Sequence, residues 1–467
     1  VTRRHWPSVV TLGLANASDA VEVLAIGYII TVFRDPQTGK RIDEIPFWTG
    51  LLTSAVFCGM LLGGLVSGSL GDRHGRRPVL AASLLVNGLA GAMAAAAPLT
   101  PLAVQVPWLV VCRFVGGLGV GGSVPSAFAL GSELGPARSR SLFINTIACF
   151  WSVGVLYASS TAYLIFGTSN GGQWPVYSLV VALPAFIAGV MCLAVLEESP
   201  RFLWASGRVT DTQAVLLRFI DSRSSRKGNG DLAELQKLVA DLDTRDHARD
   251  SSASDGPVRI AHGRGASSVI SSLSMLLRGP ACSRALLLCA VFFFLSFAHY
   301  GISSWIADLF SKVHFTNPYA TSIFYTFATV PGLGFAIFTL DRFGRRAVTG
   351  GAMFAACAAA LLFAFDTGER MFIMVCAALF NASAACAWNG IDVFSSELLP
   401  SRIRGTGLGL CTACGRVGSI LANVFNSNVL ARQQSDEQNV ALVLISAGIA
   451  MTLGAVCVLR LPETLTR

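Results

Sequence analysis

Two acidic residues lie within the first long apolar stretch of the chain. Asp19 and Glu22 belong to the sequence NASDAVEVLAIGYII (residues 16–30), which is otherwise apolar enough to span a membrane. Positions three apart share one face of a helix, so both carboxylates point the same way. A charge facing lipid is costly, and acids inside membrane segments mark ion or proton pathways. The pattern predicts a proton or cation site; the alternative is a pair held within a helix bundle for packing.

Two arginines lie in later apolar stretches. Arg416 is the lone cation of CTACGRVGSILANVF, and a guanidinium that faces a cavity is suited to holding a carboxylate through paired hydrogen bonds. We therefore predict that Arg416 binds an anionic solute; the alternative is pairing with Asp392 or with helix-terminal carbonyls. Arg113 lies in the glycine-rich stretch CRFVGGLGVGG. It either faces the protein interior or extends its side chain to the membrane surface.

Aromatic and amide side chains on neighbouring apolar stretches are predicted to shape a solute pocket around these charges. Each of them alone is more often a packing residue than a ligand contact. His299 could be a second proton site, and a hydrogen-bonded histidine of the core is the alternative. The predicted solute-binding residues are Tyr28, His299, Tyr300, Trp305, Asn381, Trp388, Asn389, Asp392 and Arg416.

The composition indicates which elements position these residues. Of the 467 residues, 53% are hydrophobic and only 13% are charged, and the mean hydropathy is +0.59. Apolar runs long enough to cross a bilayer recur along nearly the whole chain. We predict an all-α membrane protein with twelve transmembrane helices, the first of which is too long and too acidic for a signal peptide. The predicted spans are 8–33, 47–70, 79–97, 106–131, 142–166, 174–196, 284–310, 318–340, 347–365, 371–395, 405–430 and 438–460.

The sequence contains an internal repeat. SELGPARSR begins at Ser132 and SELLPSRIR at Ser396, so serine, glutamate, leucine, proline and both arginines recur 264 positions apart. Two further pairs recur at nearly the same distance, GDRHGRR with LDRFGRR and LEES with LPET. The repeat predicts two pseudo-symmetric six-helix bundles, 1–205 and 283–467, with a solute site between them. The segment 206–282 is predicted to be a cytoplasmic linker with short amphipathic helices and a disordered part.

The net charge of +8 follows the membrane topology rather than a nucleic-acid surface. Arginines gather in the loops GDRHGRRP, GPARSRS, DRFGRRA and LPSRIRG, which a twelve-helix arrangement puts on the same side as both termini. The positive-inside rule makes that side cytoplasmic. We expect a multi-pass protein of the plasma membrane or of a vesicle or organelle membrane, with the lipid bilayer around it and no nucleic-acid partner.

The duplicated loop also carries a family resemblance. GSLGDRHGRR (68–77) resembles the loop between the second and third helices of the major facilitator superfamily, and LDRFGRR (340–346) resembles its copy in the second half. The resemblance implies alternating access and a network that closes the inner gate; isolated solvated ion pairs are the alternative. The implied gating residues are Asp72, Arg73, Arg76, Arg77, Glu133, Arg138, Arg140, Glu198, Arg201, Asp341, Arg342, Arg345, Arg346, Glu397, Arg402, Arg404 and Glu463.

Further motifs indicate which branch of that superfamily the sequence resembles. CRFVGGLGVGG, EESPRFLWASGR and the terminal LPET are similar to sugar-porter and organic-ion transporter sequences. By resemblance to proton-coupled sugar porters, Asp19 and Arg113 are implied to be the protonatable acid and its arginine partner. The seventh span, SFAHYGISSWIADLF, lacks the paired glutamines with which hexose porters hold a sugar. Together with the D-x-x-E of the first helix, its HYGxxxW instead resembles the synaptic vesicle glycoprotein 2-like branch and bacterial nicotinate transporters.

These observations predict a proton-coupled secondary transporter of a small organic anion such as an aromatic carboxylate, acting as a monomer. The alternatives are a sugar transporter, an uncoupled uniporter, and a transporter-like protein that binds or regulates without transport. The sequence has no P-loop and no histidine cluster typical of a metal site, and its 12 cysteines lie mostly in apolar spans. We therefore expect no metal, no cofactor and no enzymatic activity.

Overall fold

The described part of the chain folds almost entirely into α-helices. The structure is a computed structural model, and it describes residues 5–135, 140–167, 173–219, 281–365, 369–399, 404–432 and 435–464. The helices are α1 (Trp6–Ile29), α2 (Pro46–His74), α3 (Arg76–Ala95), α4 (Gln105–Leu134), α5 (Arg140–Phe166), α6 (Trp174–Ala194), α7 (Pro200–Ala205), α8 (Val209–Phe219), α9 (Ala281–Ser303), α10 (Ile306–Lys312), α11 (Pro318–Phe327), α12 (Thr329–Phe343), α13 (Arg345–Phe365), α14 (Arg370–Leu398), α15 (Arg404–Leu430) and α16 (Asp436–Leu459).

Among the described residues, twelve helical segments are long and apolar enough to cross a membrane, which confirms the predicted number of spans. Eleven of them follow the predicted positions as continuous segments, and α11 with α12 forms a single span over Pro318–Phe343. The seventh differs, because the helix breaks after Ser303 and resumes at Ile306 as α10. Most of the predicted linker, residues 220–280, lies outside the described residues.

Several helix starts follow simple local chemistry. Proline occupies the first turn of α2 and α11, where its missing N–H leaves no hydrogen bond unmade. The side chains of Asn317 and Ser435 accept hydrogen bonds from the backbone nitrogens of Ala320 and Gln438, at 3.1 and 3.3 Å. These N-caps satisfy amides that the helix itself leaves free, so they fix where two of the second-half spans begin.

The helices pack as two six-helix bundles. In the first, α4 packs against α2 and α3, and α1 packs against α5 and α6. In the second, α9 packs against α15 and α16, and α13 packs against α14 and α16. The bundles meet where α2 contacts α15 and where α5 contacts α11, which are equivalent pairs under the sequence repeat. The two-half arrangement expected of alternating-access transporters is therefore present.

Two hydrogen bonds connect the first half to the second half on one side of the protein. We name the side that holds α7 and the end of α2 the latch side, and the opposite side the far side. Thr31 and Tyr319 are joined hydroxyl to hydroxyl at 2.8 Å, beyond the far-side end of α1. Ser159, in the far-side half of α5, and Thr326, at the end of α11, are joined at 3.0 Å. The two halves are therefore joined by hydrogen bonds on the far side in this conformation.

Candidate functional site

The acid that binds Arg113 is Glu22. Arg113 Nη1 donates to Glu22 Oε1 at 2.6 Å, and Nη2 donates to the Glu22 backbone oxygen at 2.6 Å. Arg113 is 5% exposed and Glu22 is 7% exposed, so the ion pair is buried and Arg113 does not extend to the membrane surface. The implied pairing of Arg113 with Asp19 is therefore wrong. The Arg113 guanidinium meets α1 about one turn beyond Asp19, and there it donates hydrogen bonds to both the side chain and the backbone of Glu22.

Asp19 instead binds a serine of α4. The side chain of Asp19 is fully buried, and Ser123 Oγ lies 2.7 and 2.8 Å from its two carboxyl oxygens. The same hydroxyl lies 2.9 Å from the Val120 backbone oxygen. A hydroxyl has one proton to donate and can also accept. Ser123 can therefore donate to an ionised Asp19, or accept from a protonated Asp19 while it donates to Val120.

Arg416 faces the boundary between the halves. Its guanidinium carbon lies 5.6 Å from the ring centroid of Tyr300, a cation–π distance. Its charge also acts on Asp19, which belongs to the other half. Within the described ranges, Arg416 takes part in none of the ion pairs that are formed, and the expected alternative pair with Asp392 is not formed. The hydrogen-bond donors of the Arg416 guanidinium therefore have no partner among the described side chains.

Two further aromatic rings pack against the Tyr300 ring that lies under this guanidinium. The Tyr300 ring lies 5.9 Å from the Trp388 ring and 5.3 Å from the Phe57 ring, centroid to centroid. Phe57 belongs to the first half, so Tyr300 joins the two halves at the level of Arg416. Trp388 is partly exposed, and Asp392 is exposed one helical turn further along α14. We name Tyr300, Trp388 and Arg416 the central site.

The remaining predicted pocket residues divide into two groups. His299 and Asn381 lie on the interior side of Trp388 and are hydrogen-bonded to each other at 3.2 Å. Asn389 is partly exposed. Trp305 is fully buried and donates its indole N–H to Asn423 at 2.9 Å. Tyr28 is 2% exposed and packs edge-on against another tyrosine.

Trp305 and Tyr28 are both buried in this conformation, so their place in the solute pocket stays a prediction. The helix break before α10 places Trp305 at the cap position of that helix, and its ring turns into the bundle. Tyr28 is also buried: its ring meets Tyr177 of the first bundle at a centroid distance of 6.3 Å, and its phenol lies close to Ser322 and Tyr325 of the second bundle.

The predicted gating residues form a cluster on the latch side of the first half. Glu198 accepts from the backbone nitrogens of Arg76 and Arg77, at 3.1 and 3.2 Å, and so caps the start of α3. Arg76 lies 3.6 Å from Glu133, which also accepts from Ser199 Oγ. This cluster is the first latch. It joins α3, α4 and α7 within one half.

The second half repeats this arrangement residue for residue. Glu463 accepts from the backbone nitrogens of Arg345 and Arg346 at 3.0 and 3.1 Å, and caps α13. The Arg345 side chain binds Glu397 at 3.2 Å and Asp341 at 3.0 Å. Thr464 Oγ1 donates to Glu397, as Ser199 does to Glu133 in the first half. The described bonds of the second latch also lie within one half, so the closing of a gate between halves stays a prediction.

Other predicted gating residues have different surroundings. Arg77 donates from Nε to the Cys192 carbonyl at 3.2 Å and from Nη2 to the Leu193 carbonyl, and so caps the end of α6. Arg342 lies 5.8 Å from the Phe343 ring centroid, and Arg73 and Arg201 are exposed. Arg138 and Arg402 lie outside the described residues, and the side chains of Asp72, Arg140 and Arg404 are not described.

Each latch depends on a glycine with positive φ. Gly75 has φ +99°, and a Cβ there would overlap Glu198 Oε2; Gly344 has φ +95°, and a Cβ there would lie 2.7 Å from Glu463 Oε2. We expect Gly75→Ala to lower the free energy of unfolding by about 1–3 kcal/mol from backbone strain, and further by displacing the Glu198 carboxylate. Thermal unfolding of the purified protein measures this loss. The matched control is Gly207→Ala, because Gly207 has φ +75° and nothing within 4 Å of the added carbon. Equal losses in the two variants would contradict the role of the carboxylate contact.

Sequence reasoning missed two residues of the central region. Ser123 follows the glycine run of α4, and its only signal was a hydroxyl on the helix that also carries Arg113. Phe57 had no signal, because a phenylalanine in an apolar span is ordinary. Ser123 matters most, since it is the hydrogen-bond partner of Asp19.

The two bundles, the duplicated latch and the charged central site define a major facilitator transporter. The chain belongs to the sugar (and other) transporter family, which matches residues 9–467. It is similar to the niacin transporter NiaP of Acinetobacter baylyi, with 28% identity over 98% of this chain and 94% of that protein. It is 22% identical to mouse synaptic vesicle glycoprotein 2C over 100% of this chain and 79% of the relative. Its fold matches a partially occluded, inward-open xylose transporter, XylE, of E. coli, with a TM-score of 0.75, 17% identity and complete coverage of both chains.

Proposed function

We propose that the protein is a proton-coupled carrier of small organic anions, with aromatic monocarboxylates such as nicotinate as the favoured class. Arg416 carries this proposal. Its guanidinium stacks on Tyr300, faces the other half, and forms no ion pair with the described carboxylates. A partly buried cation without a protein anion favours an anionic ligand. The nearby Trp388 ring offers an apolar face for an aromatic ring, and the name of the similar niacin transporter agrees with this chemistry.

The coupling follows from competition for Arg416. An ionised Asp19 attracts the guanidinium from the opposite half, whereas a protonated Asp19 leaves it to the solute carboxylate. Proton binding then strengthens anion binding, and by reciprocity the anion strengthens proton binding. Ser123 supports both states of Asp19, because its hydroxyl can donate or accept. One proton and one monovalent anion would move together without net charge.

A sugar carrier is the main alternative, and the xylose transporter fold alone does not separate the two. The amide of Asn381 is engaged in hydrogen bonds inside the second bundle, so it is not free to bind sugar hydroxyls. We further propose that the latch side is cytoplasmic, because the arginine-rich loops lie there. The working unit is proposed to be a monomer, since one chain contains both halves of the central site.

Uptake of radiolabelled nicotinate into proteoliposomes tests the proposal. We expect accumulation above the external concentration when the interior is made more alkaline, and no response to a membrane potential set by potassium and valinomycin. Xylose and a quaternary ammonium cation serve as competing probes and should not inhibit. Downhill flux without accumulation would indicate a uniporter, and inhibition by xylose would indicate a sugar carrier. Thermal stabilisation by nicotinate without any flux would indicate a protein that binds but does not transport.

A further inference from the structure

A hydrogen-bonded chain of five polar groups leads from the interior of the second half to Trp388 of the central site. Asn381 Nδ2 donates to the Tyr325 backbone oxygen at 2.7 Å and to Thr329 Oγ1 at 2.9 Å. Its Oδ1 lies 3.2 Å from His299 Nε2, and Trp388 Nε1 lies 3.0 Å from His299 Nδ1. Asn381 is 3% exposed, so the chain starts in the interior and ends at the partly exposed Trp388. It joins α11, α12, α14 and α9 in the second half.

The direction of each hydrogen bond in this chain is determined by its first member. A backbone carbonyl only accepts, so the amide nitrogen of Asn381 must face Tyr325, and the amide oxygen must face His299. That oxygen also only accepts, so His299 Nε2 carries a hydrogen. The other end agrees, because the indole N–H of Trp388 only donates and therefore requires a lone pair on Nδ1. His299 is held as the neutral tautomer protonated at Nε2.

Protonation of His299 would break this chain. An imidazolium has hydrogens on both ring nitrogens, so its Nδ1–H would oppose the Trp388 N–H. A positive charge on the ring would also be repelled by Arg416, which lies on the other side of one tyrosine ring. Tyr300 lies 5.4 Å away, centroid to centroid, and Arg416 stands over that same tyrosine. Asp392 is one helical turn beyond Trp388 on α14 and is exposed. The ring is therefore suited to holding its neighbour rather than to carrying protons.

Trp388, to which His299 is hydrogen-bonded, belongs to the central site. The Trp388 ring lies edge-on to Phe292 at 5.9 Å and tilted to Tyr300 at 5.9 Å, and the bond to His299 fixes the remaining rotation of the indole. We propose that His299 is a neutral positioning residue that orients the Trp388 indole beside Arg416, so that an aromatic ring and its carboxylate are held together. This inference rests on the proposed function for its effect on transport, but not for the tautomer or the indole orientation.

Two substitutions separate the two hydrogen bonds of His299. The Oδ1 of an asparagine occupies roughly the place of Nδ1, so His299→Asn keeps an acceptor for Trp388 and loses the bond to Asn381. The terminal amide of a glutamine reaches the place of Nε2, so His299→Gln keeps the bond to Asn381 and loses the acceptor for Trp388. The two variants are matched controls for each other, because both are neutral amides.

Fluorine NMR of protein labelled with 5-fluorotryptophan reports on the surroundings of the Trp388 indole, and it needs no solute. The Trp388 resonance is assigned by its loss in Trp388→Phe. We expect it to stay in place in His299→Asn and to shift or split in His299→Gln. An unchanged resonance in His299→Gln, or equal shifts in both variants, would overturn the positioning role.

Hydrogen exchange at the imidazole C2 carbon, followed by mass spectrometry, measures the protonation state of His299. We expect one constant rate from about pH 5 to pH 8, whereas the same peptide in urea titrates; titration in the folded protein would overturn the neutral state.

Nicotinate uptake then connects the indole to transport. We expect His299→Gln to raise KM by about tenfold, as loss of one buried hydrogen bond allows, with the maximal rate and its pH dependence retained. His299→Asn should stay close to the parent, and His299→Gln combined with Trp388→Phe should be no worse than Trp388→Phe alone. A normal KM in His299→Gln, or a lost pH response in both variants, would overturn the inference. If the parent transports no nicotinate, the proposed solute is wrong, while the NMR and exchange results still decide the state of His299.

Discussion

Asp19→Asn is expected to abolish pH-driven accumulation of solute while exchange of solute across the membrane continues. The amide of asparagine can donate to Ser123 Oγ as a protonated carboxyl would, with Ser123 donating to the Val120 oxygen. The variant is therefore held in the state that a bound proton produces, and it cannot release that proton. A pH difference of one unit is worth about 1.4 kcal/mol, or about tenfold accumulation at one proton per solute. The variant should reach only the external concentration.

The measurement compares net uptake with counterflow in the same proteoliposomes. Counterflow needs no proton cycle, so its survival shows that the variant is folded and can alternate between its two states. Glu22→Gln is the matched control, because it also neutralises a buried acid of α1. Glu22 binds Arg113 rather than facing Arg416, so this control should lose stability, by about 3–5 kcal/mol for a broken buried pair, but retain accumulation. Accumulation in Asp19→Asn and its loss in Glu22→Gln would assign coupling to Glu22 instead.

Hydropathy and repeats were sufficient to predict the fold. Spans are long and uniform, and the bilayer leaves few alternatives to helices, so the predicted number of spans and eleven of their positions agree with the described part of the structure. The repeat likewise predicted two latches, and each was found with the same partners. The break between Ser303 and Ile306 was not predicted, because SSWI contains neither glycine nor proline. Its position depends on how Trp305 packs against Asn423, which is a tertiary contact.

The pairing of charges was harder to predict, because sequence spacing gives the face of a helix but not the depth at which another helix meets it. Asp19 and Glu22 share a face, and only the packing of α1 against α4 decides that Arg113 reaches Glu22 and that Ser123 reaches Asp19. Backbone partners are also invisible in sequence. The carboxylate of Glu198 was expected in a network of arginine side chains, yet its hydrogen bonds go to two backbone amides at the start of α3.

Arg416 is the residue on which the charge of the solute depends. Arg416→Lys keeps the positive charge but loses the planar fork, and we expect nicotinate to bind more weakly by about 1–3 kcal/mol. Arg416→Ala should cost more, because the cation itself is lost. Titration of purified protein by calorimetry measures both losses. Nicotinamide has the same ring without the carboxylate, so its weak binding should barely change in either variant.

The same substitutions test whether Arg416 links the proton to the solute. Asp19 and the solute carboxylate are proposed to compete for one guanidinium, so the pH dependence of nicotinate binding should largely disappear in Arg416→Ala. Combining Asp19→Asn with Arg416→Ala should then add little to the loss seen with Arg416→Ala alone, since residues that act through a shared partner are not additive. Arg113→Lys is the control, because Arg113 is engaged by Glu22 and should affect stability rather than the preference for anions. Unchanged nicotinate binding in Arg416→Ala, or a preferred ligand that is a cation, would remove Arg416 from the solute site and the anion from the proposed function.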